Sequence, residues 1–119
     1  MLIEREPRSF RTPHQCYRDT LIIRLIHIKI DPSETETAGH IWKTECTPLI
    51  ISQNGCISEK LLRPRNRGEF ISYSEWETEA HINRFTSSAA HKQIVSRMRS
   101  VGASAAVALC DLVTEGEPG

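Results

Sequence analysis

His91, Trp76 and Ser72 are the side chains whose types suit chemistry on a bound organic molecule. An imidazole has an ordinary pKa close to neutrality, so His91 suits proton abstraction. The indole N–H of Trp76 and the hydroxyl of Ser72 are donors suited to an oxygen that gains negative charge during a reaction. Ser72 and Trp76 lie four residues apart, which puts them on one face of a strand. Phe85, Phe70, Ile82, Arg24 and Trp42 are expected to line the accompanying pocket, with Phe85 as an apolar wall opposite Trp76. Each reactive candidate also has a purely structural role open to it. A Trp at a strand end fills a core, and a His early in a helix faces solvent or caps the helix.

The element that must hold these residues runs over 69–98. Phe70, Ser72, Ser74 and Trp76 alternate with Ile71, Tyr73 and Glu75, a period of two that predicts a strand ending at Trp76. Beyond it Ala80, Ile82 and Phe85 mark a short helix that Ser87-Ser88 interrupts. Ile94, Val95, Met98 and Val101 then form the stripe of a second helix, whose first turn either serine can cap. Upstream, 17–30 is nearly continuous in aliphatics, as expected of a strand covered on both faces. Arg24 and His27 interrupt it at odd separation and so point to opposite faces; one reaches the cavity and the other an interface. Ser33 and Glu36 have capping-box spacing, which predicts a helix from Glu34 with Ala38, Ile41, Trp42 and Cys46 inward. Pro48 predicts a kink near Thr47, and Asn54-Gly55 an end to the helical segment.

A second strand is expected over 56–63, a turn over 64–68, a C-cap at Gly102 and a last strand over 103–114. The order β-α-β-β-α-β predicts an α+β, ferredoxin-like fold with a four-stranded antiparallel sheet. Residues 1–16 read as an N-terminal extension, 17–115 as one domain and 116–119 as a tail. Aliphatics on both faces of 21–30 predict that a second copy covers the face without helices, giving a homodimer.

The chain has 119 residues, enough for a single core. Fifteen basic and fifteen acidic residues cancel, so no global field favours nucleic acid or an anionic membrane. No apolar run is long enough to span a membrane, and the charged N-terminus does not read as a secretory leader. A cytoplasmic protein with reduced thiols is therefore expected. Cys16, Cys46, Cys56 and Cys110 lack chelating spacing, and no Gly-rich phosphate loop follows the first strand. Neither metal nor cofactor is expected.

The stretches NGCISEKLLRP and GEFISYSEW, followed by the helical run ending in SSAAHK, resemble the antibiotic biosynthesis monooxygenase family. The resemblance spans roughly 20–114 and implies a dimeric α+β barrel. For activity it implies a cofactor-free oxygenase acting on a small aromatic substrate such as a phenol, quinol or anthrone with O₂, or a haem-degrading enzyme. Where members that oxidise polycyclic aromatics often carry Asn, four residues before the Trp, this chain has Ser72. Haem-degrading members carry an Asn in the first strand, which 20–30 lacks. At their later Trp and haem-ligating His this chain has Phe85 and Val95, which neither donate a hydrogen bond nor bind iron. The expected function is thus a cofactor-independent monooxygenase, with a non-catalytic ligand-binding or structural dimer as the alternative.

Overall fold

Alternation of burial along one strand sets the frame. In β1 (Ile22–Lys29) Arg24, Ile26 and Ile28 are buried on one face, while His27 and Lys29 on the other are exposed. The computed structural model describes residues 20–65 and 68–118. The expected extension over 1–16, the first three residues of the expected 17–30 strand and part of the 64–68 turn lie outside them. β3 (Glu69–Trp76) pairs antiparallel with β1, setting Ser74 beside Arg24 and Ser72 beside Ile26. β2 (Cys56–Leu62) flanks β3, and β4 (Ser104–Asp111) flanks β1. The sheet order β2-β3-β1-β4 is that of the expected ferredoxin-like arrangement.

The first helical segment departs from expectation at both ends. The Ser33–Glu36 capping box does not form. Asp31 is the cap instead, accepting from the backbone N–H of Ser33 at 2.9 Å and from its hydroxyl at 2.7 Å. A carboxylate two residues upstream outcompetes the longer Glu36, whose side chain is 90% exposed beside Arg63. A single 3₁₀ turn (Pro32–Glu34) follows, so α1 (Thr35–Ile41) begins one residue later than expected. The chain then widens into a π-turn (Trp42–Cys46) before α2 (Thr47–Ile51). Pro48 has no N–H to donate to the preceding turn, so the disruption expected at Thr47 is spread over the five residues before it.

Gly55 closes this segment at φ +87°, and the His81 ring packs directly against it. A Cβ at 55 would collide with the His81 ring, so the contact depends on glycine. Beyond β3, Thr78 caps α3 (Glu79–Thr86) and Ser88 caps α4 (Ala89–Arg99), each accepting from the N–H three residues on. Ile82 and Phe85 are buried on α3, and Ile94 and Met98 on α4. Arg97 of α4 grips Glu45 of the π-turn through Nε at 2.7 Å and Nη2 at 2.9 Å, tying the two helical layers together. Gly102, at φ +74°, ends the α4 segment as expected, and β4 is shorter at both ends than the expected 103–114. No helix among the described residues is long and apolar enough to cross a membrane.

Candidate active site

Helix α4 does not lie flat on β4, and the gap between them is a cavity of about 420 Å³. That is a size suited to a small organic ligand. Arg24, Ile26 and Ile28 of β1 line its floor, with Ala105 and Val107 of β4 beside them. His91, Ile94, Val95, Met98 and Arg99 of α4 close the top, while Trp42, Ile50 and Phe85 complete the wall. Four of the expected residues, His91, Phe85, Arg24 and Trp42, therefore meet at one cavity.

The periodicity of β1 left Arg24 and His27 interchangeable; the fold turns Arg24 inward, 4% exposed, and His27 to solvent. Arg24 Nη2 lies 3.3 Å from His91 Nε2. A guanidinium only donates, so Nε2 is the acceptor and the imidazole proton resides on Nδ1. Burial pushes the His91 pKa down, and the neighbouring Arg24 charge adds to that. The ring is thus held neutral, the state that accepts a proton. Phe85 backs both groups: its ring meets His91 edge-on at 5.2 Å, and the Arg24 guanidinium sits 5.6 Å from its centroid.

Trp76 and Ser72 occupy the same face of β3, as their spacing predicts, but neither lines the cavity. The Trp76 N–H donates to Ser74 Oγ at 2.8 Å, and its ring stacks on Phe85 at 5.3 Å. The Ser72 hydroxyl donates to Glu59 Oε1 at 3.0 Å. With both donors engaged and both side chains fully buried, neither offers a free hydrogen to the cavity, where Arg24 is the donor present. Phe70 and Ile82 are likewise core residues away from the cavity; the Phe70 ring lies beneath Gly39.

Glu59, half-buried, is the polar residue that sequence reasoning missed. Its carboxylate accepts from Trp42 Nε1 at 3.0 Å and from Ser72, which fixes the Trp42 ring in the cavity wall. Desolvation raises its pKa, against the opposing pull of these two donors and of Arg24. Cys46 and Cys56 are no nucleophiles, because burial pushes their thiols up to about 12 and about 11. Val95 presents an aliphatic side chain to the cavity.

The sequence profile of the antibiotic biosynthesis monooxygenase family matches residues 21–97, well over half of the chain. The chain belongs to that family. Its solved relatives share the fold at low identity. A Streptomyces coelicolor monooxygenase in complex with nanaomycin D has a TM-score of 0.74 at 11% identity, covering 84% of this chain and 94% of that one. SnoaB, a cofactor-independent oxygenase from Streptomyces nogalater, has a TM-score of 0.66 at 13% identity, covering 81% and 96%. A conserved protein of unknown function from Bacteroides thetaiotaomicron has a TM-score of 0.70 at 17% identity, covering 78% and 98%. No curated protein matches the chain by sequence. The match to the antibiotic biosynthesis monooxygenase family takes in Arg24, Phe85 and His91, and ends before Arg99 and β4.

Proposed function

We propose that this chain is a cofactor-independent monooxygenase that oxidises a small phenol, quinol or anthrone-like substrate with O₂ in the cavity between α4 and the sheet. The observation that carries the reading is the pairing of a neutral His91 with a buried Arg24 inside an apolar enclosure. When a substrate hydroxyl enters, its oxygen takes over the Arg24 N–H that now points at His91 Nε2. That releases the Nε2 lone pair to accept the substrate proton. The resulting anion sits between guanidinium and imidazolium, with little water to compete. Its electron-rich carbon adds O₂ to form a hydroperoxide, and loss of water leaves a carbonyl. One oxygen atom of O₂ is then in the product and the other in water, with the substrate supplying the electrons.

The test is oxygen uptake and product formation across a panel of quinols and anthrones, in chelator and without added flavin. Turnover that falls by about 10²–10⁴-fold in His91→Ala is the expected result. Tight binding without oxygen uptake anywhere in the panel would sink the enzymatic reading. It would leave a ligand-binding protein, a role that the engaged Nε2 lone pair also suits.

The active form is proposed to be a homodimer. Leu25, Ile71 and Tyr73 stand half-buried on the sheet face that no helix of the described residues covers, and Leu62 at its edge is 46% exposed. A partner sheet burying more than about 1,000 Å² would cover them. Light scattering at micromolar concentration is expected to give twice the 13.5 kDa of one chain; a monomer mass would exclude the assembly.

A further inference from the structure

The charges around the cavity are one-sided. Among the described residues its lining holds two guanidiniums, Arg24 and Arg99, one imidazole, His91, and no carboxylate, in a chain whose acidic and basic residues balance. A shallow surface depression at the rim, lined by His91, Lys92, Val95, Ser96 and Arg99, continues the same sign. Arg24 is the stronger indication. It is 4% exposed, and its Nε has no hydrogen-bond partner among the described residues. The acid that acts on it electrostatically, Glu59, has its carboxylate bonded by Trp42 and Ser72. A buried cation without a bonded anion is costly to fold, and a ligand anion offsets that cost.

The backbone positions of the two arginines lie toward opposite ends of the cavity. Arg24 contacts His91 at the start of α4, and Arg99 is the last residue of that helix, about 12 Å further along its axis. The sheet beneath runs the same way. From Arg24, β1 continues under Ile26 to Ile28, which pairs with Ala105. The chain just before Ala105 is tied to the end of α4 by the Ala103 N–H, which donates to the Met98 carbonyl at 3.1 Å. Between the two ends the walls are aliphatic: Ile26, Ile28, Ile94, Val95, Met98 and Val107.

We infer that the ligand of this cavity is an elongated, flat apolar molecule carrying an anionic oxygen at each end, the inner one received by Arg24 and the outer one by Arg99. This rests on the reading of the cavity as the substrate site, and narrows that substrate to an aromatic acid whose oxidisable hydroxyl lies at the end opposite its carboxylate. Arg99 is exposed, so it selects at the mouth, while Arg24 holds the reacting end.

Three non-reacting probes separate charge from shape: a naphthalene with carboxylates at opposite ends, its monocarboxylate, and the uncharged dinitrile of the same ring. Calorimetric titration of the wild-type protein is expected to rank them in that order, with about tenfold between neighbours. Arg99→Gln is expected to bring the dicarboxylate down to the monocarboxylate while leaving the latter within about twofold, and added salt narrows the same gap. Arg24→Met is expected to weaken both anions by about 100-fold. If that variant does not fold, the wild-type ranking and Arg99→Gln still decide. A dinitrile that binds as well as the anions, an Arg99→Gln variant with unchanged ranking, or no measurable binding of either anion overturns the inference. Turnover is read separately. Charge-ranked binding with no quinol oxidised removes the monooxygenase and keeps this ligand class. Oxidation of uncharged quinols without charge ranking does the reverse.

Discussion

Replacing His91 by alanine is expected to lower turnover by about 10²–10⁴-fold, the range typical of a removed general base. The pH profile distinguishes this from a packing defect. Burial and Arg24 both depress the His91 pKa, so in the free protein the ring keeps its proton only to lower pH than an ordinary histidine does. Catalysis by the neutral ring is therefore present above that depressed value and lost as pH falls through it. The acid limb of kcat/KM should lie below the ordinary value of about 6.5. In the complex the substrate oxygen takes the Arg24 N–H away from Nε2, so the limb of kcat should lie at higher pH than that of kcat/KM. An unchanged kcat in His91→Ala from about pH 6 to about pH 9 would remove His91 from the chemistry.

Phe85→Ala should cost about 3–5 kcal/mol of stability, measured as a shift of the urea midpoint at constant m-value. Phe85 is 3% exposed and joins core to site: it stacks on Trp76 at an interplanar angle of 23°, meets His91 at 90°, and lies under Arg24. Removing the ring deletes three contacts and opens a void continuous with the ligand cavity. Phe85→Leu separates the two roles, since it keeps much of the apolar contact and removes the π-face beneath the guanidinium. It should perturb the His91 titration more than the urea midpoint. A loss below about 1 kcal/mol for Phe85→Ala would mean that the rings pack without depending on one another.

What was legible in the sequence was governed by periodicity, and what was not was governed by partner choice. The alternation from Phe70 to Trp76 placed β3 to the residue, and Ser88 and Gly102 fall at helix ends as their chemistry predicts. The same alternation could not say which donors remain available. Trp76 and Ser72 share the inner face as expected, but Ser74 on the same strand and Glu59 on β2 consume their hydrogens, and alternation does not say which neighbours bond each other. Glu59 was hidden for a geometric reason. Strict alternation from Cys56 would turn it outward, yet a register shift between Cys56 and Ser58 sets it opposite Ser74 on the inner face. Arg24 did leave a signal, a lone arginine among aliphatics. Only the pairing of β1 with its neighbours gave it a direction.

The π-turn at Trp42–Cys46 lets the first helical segment hold one residue more than a regular helix needs to present the same core face. Ala38, Trp42, Cys46 and Ile50 are all buried at a strict spacing of four. On a regular α-helix that spacing drifts by about 40° per step, so Ile50 would end about 120° away from Ala38. The wide turn takes up that drift and keeps all four on the core side. Deleting exposed Lys43 would leave the four at a spacing of 4-3-4, which a regular helix carries on one stripe about 60° wide. The wide turn thus stores one residue that the segment can lose while Trp42 stays against Glu59 and in the cavity wall.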